Sequence, residues 1–183
     1  GPEPPYDQLD VSGSYSWLKS PRWRGRPMEV GPLARAVMLY ARGHAETVEL
    51  TDRALSQLDL PVEALFSTMG RTAARAIEAK VFADAMQGWL DTLMANIRAG
   101  DSAVHNEEKW DPSTWPSRAK GVGFMEAPRG ALAHWIDIED GAIRNYQAVV
   151  PSTWNAGPRD AEGQPGPYEA ALMDNHGLHD PEQ

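Results

Sequence analysis

The feature that most constrains the fold of this chain is the dipeptide Asp140-Gly141, which separates two runs of strand-forming residues. Asp-Gly is among the strongest short signals for a two-residue β-hairpin turn, because both central residues of that turn need positive φ. The flanking runs, 132–138 and 143–150, are rich in β-branched and aromatic residues, as strands usually are. The sequence therefore predicts an antiparallel hairpin with this dipeptide at its tip.

The register of the hairpin follows from the turn and from the side-chain pairs that it creates. It places Asp137 opposite Arg144, a pair of opposite charges, and Trp135 opposite Tyr146, a pair of aromatic rings. Each such cross-strand pair contributes about 0.2–1 kcal/mol, so both favour this register over a slip by one residue. The segment 121–127 is predicted as a further strand that leads into the hairpin.

The open end of the hairpin carries a cation and a hydroxyl. Continued away from the tip, the register places Arg129 opposite Ser152. Pro151 has no N–H to donate, so regular pairing should end there and leave both side chains available to a ligand. A fixed guanidinium beside a hydroxyl donor suits a polar or anionic guest. The structural alternative is a salt bridge of Arg129, for example to Glu126, with a hydroxyl that only stabilises a turn.

The strongest helical pattern runs from 69 to 99, where apolar residues recur every three or four positions without a proline. Ser67 or Thr68 can cap its start and Gly100 suits its end. A helix of this length is about 46 Å long, at 1.5 Å per residue. The other predicted helices, which begin near Pro32 and cover about 46–58 and 168–173, are too short to cover it. We therefore expect that much of its partner surface belongs to polypeptide outside this sequence.

Together these elements predict an α+β fold that is mainly helical. It has a long bundle helix at about 69–99, a small antiparallel hairpin sheet at about 121–151, and long ordered loops. We interpret the chain as a single segment of a larger domain, divided into a loop at 1–30, a helical part at 31–100, a loop at 101–120, a hairpin region at 121–155, and a loop with a short helix at 156–183.

Composition excludes several classes of function. A net charge of −9 and a pI near 5.0 argue against direct binding to nucleic acid or to an anionic membrane surface. The absence of cysteine excludes disulfides, thiolate metal ligands and cysteine nucleophiles from this sequence. A local basic and aromatic cluster at 17–26 admits a phosphate-binding interpretation, but a loop that forms salt bridges with an acidic partner fits the acidic chain better.

Other candidate motifs have simpler interpretations. His176 and His179 are spaced like metal ligands on a helix, but they lie beside a glycine near the terminus and fit a surface pair better. His134 lies on the apolar face of a strand, which favours a hydrogen-bonded core histidine. Gly121-Val122-Gly123 lacks the rest of a dinucleotide-binding fingerprint. The adjacent residues Glu107 and Glu108 fit a solvated loop rather than an acid–base pair.

Several segments resemble the C-terminal third of the large subunit of nickel-iron hydrogenases. They include Ala127-Pro128-Arg129-Gly130 and Val150-Pro151-Ser152, and they occur in the family's order along the chain, at 16–22, 27–35, 68–75, 121–135 and 145–160. The resemblance covers most of the chain, and the type it matches best is the uptake enzyme at the outer face of a membrane.

The resemblance implies a catalytic subunit that interconverts dihydrogen with protons and electrons at a nickel-iron centre. In that family cysteine thiolates bridge the metals, and the iron also carries cyanide and carbon monoxide. The resemblance makes Arg129 the catalytic residue over the metals and places Pro128, Val150, Pro151 and Ser152 around the metal centre. There the Arg129 guanidinium and the Ser152 hydroxyl would orient a metal-bound cyanide. A base role for Arg129 toward dihydrogen is a second hypothesis, which the high pKa of a guanidinium makes demanding.

The resemblance also implies a structural magnesium ion, bound partly by the backbone carbonyl of Ala148. The implied partners are the remainder of the large subunit and a small subunit that carries iron-sulfur clusters. The implied location is the periplasmic side of the cell membrane, with peripheral and indirect membrane contact and with the cytoplasm as the alternative.

This sequence departs from the family in one respect that changes the prediction. Family members carry a Cys-x-x-Cys motif near the N-terminus and a second one in Asp-Pro-Cys-x-x-Cys-x-x-His at the C-terminus, and neither is present here. We therefore expect this chain to supply residues around the metal centre but no nickel or iron ligand, and to be inactive by itself. The alternative is a non-catalytic scaffold or assembly module related to these subunits.

Overall fold

A computed structural model describes residues 16–105 and 107–173 of the chain. One antiparallel sheet has the strand order β1-β2-β3, with β1 at Arg118–Ala127, β2 at Gly130–Glu139 and β3 at Ala142–Val149. The α-helices are α1 at Pro32–Ala41, α2 at Ala45–Leu58, α3 at Thr68–Arg98, α4 at Pro151–Asn155 and α5 at Pro167–Leu172. Short 3-10 turns lie at Val62–Phe66 and Pro112–Thr114. The predicted α+β fold, with its long helix and small antiparallel sheet, is confirmed.

Helix ends follow the local signals in the sequence. Pro32 occupies the first turn of α1, where its missing N–H leaves no bond unmade. The Ser67 hydroxyl accepts a hydrogen bond of 3.0 Å from the Gly70 amide and so caps α3. Gly100 follows the end of α3 with a φ of 83°. The observed α3 lies within one residue of the predicted 69–99 at both ends.

The sheet contains two hairpins rather than one. β1 begins at Arg118, so the prediction of a loop up to residue 120 was wrong in its last three residues. β1 then pairs with β2 along its whole length and ends at the pair Ala127 and Gly130. The connection between β1 and β2 is therefore the two-residue turn Pro128-Arg129.

The predicted register of the second hairpin holds only near its tip. Ile138 pairs with Ile143 as expected, but a bulge follows, and beyond it Asp137 pairs with Asn145. The predicted pairs of Asp137 with Arg144 and of Trp135 with Tyr146 were therefore wrong. Arg144 is the extra residue of the bulge, which moves all later pairs by one position.

The ion pairs of Asp137 and Arg144 explain why the bulge costs little electrostatic energy. Asp137 lies 3.4 Å from Arg118 and 3.7 Å from Lys120 on β1, so its carboxylate has cations without help from β3. Arg144 instead approaches Glu139, at 3.3 Å. Each charge that the prediction paired across β2 and β3 has thus found another partner.

The aromatic rings are also paired differently from the prediction. The Trp135 ring meets the edge of Phe124 on β1, with centroids 5.8 Å apart. Tyr146 contacts His134, whose Nδ1 lies within hydrogen-bond distance of the tyrosine hydroxyl. His134 is half-buried and hydrogen-bonded, in keeping with its predicted structural role.

The core lies between α1, α2, the turn at Val62–Phe66 and the start of α3. Its buried members include Leu33, Leu65, Ala74 and Ile77. Beyond Ile77 most apolar side chains of α3 are exposed, and Trp89 keeps 59% of its surface accessible. The described part of this chain therefore covers only the first third of the helix, and the expectation that other polypeptide covers the rest stays a prediction.

The remaining sequence motifs have modest structural roles. Arg22, from the basic and aromatic cluster, donates to the main-chain carbonyls of Pro158 at 2.7 Å and Arg159 at 3.3 Å. Glu107 and Glu108 are both exposed. His176 and His179 lie outside the described residues.

Candidate functional site

Arg129 lies in the turn between β1 and β2 with an exposed side chain. Among residues 16–105 and 107–173, no acceptor lies within hydrogen-bond distance of its guanidinium. It lines a cavity of about 330 Å³ whose polar lining also includes Glu29, Arg71, Arg75, Asn155 and Tyr168. The proposed alternative of a structural salt bridge between Arg129 and Glu126 is not what forms, because the Glu126 carboxylate binds a different arginine.

That other arginine is Arg35 of α1, which makes five hydrogen bonds. It donates to the two carboxylate oxygens of Glu78 at 2.5 and 2.8 Å and to the Glu126 carboxylate at 2.7 Å. It also donates to the carbonyls of Ala127 at 3.1 Å and Pro128 at 2.9 Å. The hydrogen bond to Glu78 raises the pKa of Arg35 above its ordinary value, although partial burial opposes this. Arg35 thus ties helices α1 and α3 to the turn that carries Arg129.

Two glycines allow α1 to approach this turn closely. A Cβ on Gly31 would lie 2.6 Å from the Arg129 carbonyl oxygen, and a Cβ on Gly130 would lie 2.6 Å from Val30 Cγ2. Both glycines also have positive φ, 118° and 133°, which side-chain-bearing residues rarely adopt. The backbone of Val30-Gly31 therefore lies directly against Arg129-Gly130.

Asn155 of α4 holds the other side of the same segment. Its Oδ1 accepts from the Val30 amide at 2.9 Å, and its Nδ2 donates to the Val30 carbonyl at 2.8 Å. Ser152 belongs to the same short helix as Asn155. The turn of Arg129 and the helix of Ser152 are therefore joined through Val30-Gly31, with Arg129 on one side and α4 on the other.

Ser152 lies in a helix rather than at the end of a strand, which corrects the sequence-based interpretation. β3 ends at Val149, Val150 caps α4, and Pro151 occupies its first turn. Pairing ends at Val149, two residues before the predicted end at Pro151, and the fixed φ of Pro151 instead suits the start of a helix. The Ser152 side chain is exposed and makes no hydrogen bond within the described part of the chain.

The remaining predicted site residues lie near these two elements. Pro128 precedes Arg129 in the turn, and Pro151 is the buried first residue of α4. Ala148 is a half-buried residue of β3 and pairs with His134 on β2.

The cavity beside Arg129 has an excess of positive charge. Arg71 is neutralised by Glu29, to which it donates two hydrogen bonds of 2.8 and 2.7 Å. Arg75 and Arg129 make no hydrogen bond or ion pair with any residue that the structure describes. Two guanidinium groups therefore line the cavity without a described counter-charge, which suits an anionic guest.

The described residues contain no group of three or more His, Cys, Asp or Glu side chains that could hold a metal ion. The sequence has no cysteine. The site as described therefore consists of hydrogen-bond donors around a cavity. Within the same residues, no helix is both long and apolar enough to cross a membrane.

Sequence reasoning missed four residues that build the site: Arg35, Gly31, Asn155 and Arg75. The contacts of Arg35 with the turn span 91 to 93 residues of chain, and those of Asn155 with Val30 span 125. No local pattern reports contacts of that range. The one available signal in the sequence was Gly31. A helix start does not require glycine at that position, so a glycine there can indicate a close approach of another segment.

Comparison with known proteins gives a consistent assignment. A family model described as nickel-dependent hydrogenase matches residues 2–183. The uptake hydrogenase large subunit of Bradyrhizobium diazoefficiens is 56% identical over 177 residues, which cover 97% of this chain and 30% of that protein. The hydrogenase-1 large chain of Escherichia coli is 54% identical, with 96% and 29% covered. The chain thus spans about 30% of the length of these curated relatives.

Solved structures agree with this result. The reduced, active nickel-iron-selenium hydrogenase from Desulfomicrobium baculatum superposes with a TM-score of 0.61 at 36% identity, covering 89% of this chain and 32% of that one. The nickel-iron-selenium hydrogenase from Desulfovibrio vulgaris Hildenborough gives the same TM-score and identity, with 33% of its chain covered. With a family model that matches nearly its whole length, this chain belongs to the nickel-dependent hydrogenase family.

Proposed function

We propose that this chain is part of the catalytic large subunit of a nickel-iron hydrogenase, which interconverts dihydrogen with protons and electrons. The observation that carries the proposal is the Arg129 guanidinium, which lines a cationic cavity without a described acceptor and projects from a turn held by Arg35. Family membership and the uptake hydrogenase relatives support the same activity.

The cofactor of this proposal is a nickel-iron centre whose iron carries cyanide and carbon monoxide. When bound, that centre supplies the metal site at which dihydrogen is split. The donor set described here fits the surroundings of such a group rather than its coordination, because it offers N–H and O–H donors and no thiolate. Cysteine ligands would come from the rest of the subunit.

Each predicted residue then has a defined task. Arg129 supplies a permanent positive charge and several N–H donors to an anionic ligand such as cyanide. Ser152 adds an O–H donor from the exposed side of α4. Pro128 and Pro151 restrict φ beside these two residues, and Val150 caps α4. Because Arg35 already holds the turn, the backbone of Arg129 needs little reorganisation when the guanidinium meets its ligand, which favours electrostatic stabilisation.

We propose a magnesium ion with the Ala148 carbonyl among its ligands, the others lying in the rest of the subunit. Ala148 is half-buried and close in sequence to α4, so an ion there would stabilise the strand that leads into Ser152. Carbonyl oxygen is a ligand type that magnesium accepts.

The proposed partners are the remainder of the large subunit and an iron-sulfur small subunit, with the complex on the periplasmic side of the membrane. The names of the relatives, which are large subunits of uptake hydrogenases, support a small-subunit partner. The exposed apolar side chains of α3 also suit burial against another polypeptide; they include Phe82, Met86, Trp89, Leu93 and Ile97.

The test is substitution of Arg129 in the complete, assembled enzyme. We expect Arg129→Gln to lower dihydrogen turnover about 100-fold, because a charged donor is removed from the reacting site, while nickel content stays unchanged. Arg53→Gln is the control, since within the described residues Arg53 forms only an exposed pair with Glu49 on α2. Full turnover in Arg129→Gln would reject the proposed role. Full turnover in Arg129→Lys would reject the base hypothesis alone.

Ser152→Ala tests the contribution of the Ser152 hydroxyl separately from that of the Arg129 guanidinium. We expect a smaller loss of turnover and a shift of the infrared cyanide bands, because one hydrogen bond to the ligand is lost. Ser56→Ala, at an exposed position of α2, is the matched control. Unchanged bands in Ser152→Ala would remove Ser152 from the site. An assembled subunit without nickel would instead favour the scaffold alternative.

A further inference from the structure

We propose that Arg35 is a positioning residue that holds the Arg129 guanidinium at the orientation its ligand requires. This inference rests on the proposed function of Arg129. It concerns the β1–β2 turn, which joins Ala127 to Gly130 through Pro128 and Arg129.

The turn lacks the backbone conformation that two-residue hairpins usually adopt. Neither Pro128 nor Arg129 has positive φ. The two-residue turns that match the right-handed twist of hairpin strands need positive φ at one or both central residues. The β1–β2 turn is neither of these types, so its strands match their twist less well and contacts from outside the hairpin can help to hold it.

Arg35 provides these contacts and uses its full donor capacity to do so. A guanidinium has five N–H donors, and Arg35 makes five hydrogen bonds: one from Nε, two from Nη1 and two from Nη2. Lysine has three donors on one nitrogen and cannot reproduce this arrangement. Arg35→Lys is therefore not a conservative substitution here.

Two of the acceptors determine the direction of Arg129. The Pro128 carbonyl belongs to the peptide unit that contains the Arg129 amide, and the Ala127 carbonyl belongs to the unit before it. Since a peptide unit is planar, a bond to the Pro128 oxygen fixes the plane from which Arg129 projects. The two carboxylates then fix Arg35 itself, with Glu78 contributed by α3 and Glu126 by β1.

The start of α1 encloses the turn from a second direction. Gly31 accepts the main-chain hydrogen bond of the Arg35 amide at 2.9 Å, so the two residues are one helical turn apart. Residues four positions apart lie on the same side of a helix. Gly31 contacts the Arg129 carbonyl, and Arg35 binds the Pro128 carbonyl. The start of α1 therefore holds both the peptide unit before Arg129 and the peptide unit after it.

The experiment compares Arg35→Lys with Arg129→Gln in the complete enzyme with its metals bound. We expect Arg35→Lys to keep its nickel, to lower turnover about tenfold or more, and to shift the infrared cyanide bands in the direction seen in Arg129→Gln. In the double variant the two effects should not add, because both act through one guanidinium. Arg144→Lys, beside the other turn of the sheet, is the control and should leave the bands unchanged.

The outcomes separate this inference from the function on which it rests. If Arg129→Gln changes neither turnover nor the cyanide bands, the proposed function itself fails. If Arg129→Gln changes both but metal-loaded Arg35→Lys leaves the bands unchanged, or if the two effects add, Arg35 is not a positioning residue and the proposed function stands.

A second variant covers the case in which Arg35→Lys does not fold or load metal. Glu126→Gln removes the charge of one exposed carboxylate and leaves Arg35 bound to Glu78. We expect a smaller shift of the cyanide bands in the same direction. Unchanged bands in this variant would overturn the inference.

Discussion

The two turns of the sheet have the same length of two residues and differ in how they are held. At the β2–β3 turn, Asp140 and Gly141 both have positive φ, 50° and 73°, which is the conformation that a two-residue hairpin turn favours. A Cβ at Gly141 would have no atom of the described residues within 4 Å beyond its chain neighbours. At the β1–β2 turn, Pro128 and Arg129 lack that conformation, and Arg35, Gly31 and Val30 contact the turn.

This difference separates a turn that closes a sheet from a turn that presents a side chain. A turn with favourable local conformation depends less on its neighbours, although the Asp140 amide does donate a hydrogen bond of 2.7 Å to the Ser117 carbonyl. A turn that must aim a guanidinium gains precision when other elements define its position, because a rigid donor stabilises charge more than a mobile one does. The contrast between the two turns can be tested with matched variants, measured by amide hydrogen exchange across β1 and β2 in the complete subunit.

The largest effect is expected from alanine at the two turn glycines. Gly130→Ala should raise the free energy of the folded turn by about 3 kcal/mol, because its φ of 133° disfavours a side chain and its Cβ would overlap Val30 and Gly31. Gly141→Ala, with positive φ but open space, should cost about 1 kcal/mol. Equal costs at both positions would contradict the contrast.

The carboxylates of the Arg35 cluster should differ from each other. Glu78→Gln should lower local stability by about 2 kcal/mol. The Glu78 side chain is only 17% exposed, and loss of its charge would leave Arg35 poorly neutralised. Glu126→Gln should cost about 0.5 kcal/mol or less, because 54% of that side chain is exposed to water. Protection of the β1 and β2 amides from hydrogen exchange measures the loss of stability in both variants. A larger loss in Glu126→Gln than in Glu78→Gln would show that the Arg35 cluster is held mainly from β1.

A third variant tests the link between the turn and α4. Asn155→Ala removes both hydrogen bonds to Val30, and we expect a cost of about 1–2 kcal/mol in local stability. Asn145→Ala, on the exposed part of β3, is the matched control and should change stability by less than about 0.5 kcal/mol. Equal changes of stability in Asn155→Ala and Asn145→Ala would mean that the position of Val30-Gly31 does not depend on α4.

The smallest effect is expected at the tip of the second hairpin. Asp140→Asn should change the free energy of unfolding by less than about 0.5 kcal/mol, since asparagine adopts positive φ as readily as aspartate does. The measurement is again hydrogen exchange, here at the β2 and β3 amides next to the turn. A large loss of protection would mean that this turn also depends on a tertiary contact.

Much of the fold could be predicted because its signals are local. Pro32, Ser67 and Gly100 mark helix ends through their own backbone chemistry, and Asp140-Gly141 specifies a turn in the same way. The bulge at Arg144 could not be predicted, since it depends on cations that β1 supplies to Asp137. The helix α4 was missed because a proline that ends a strand looks the same as one that also begins a helix.

Local sequence signals were enough to predict the helices α1, α2, α3 and α5, the Asp-Gly turn, the likeness to one enzyme family and the residue types Arg129 and Ser152 that its motifs single out. Which arginine is paired and which is available follows from the folded contacts alone, because Arg35 and Arg129 are chemically identical side chains. The physical reason is distance along the chain. The acceptors of Arg35 lie on α3 and on the turn, 43 to 93 residues away, and only folding brings them to it.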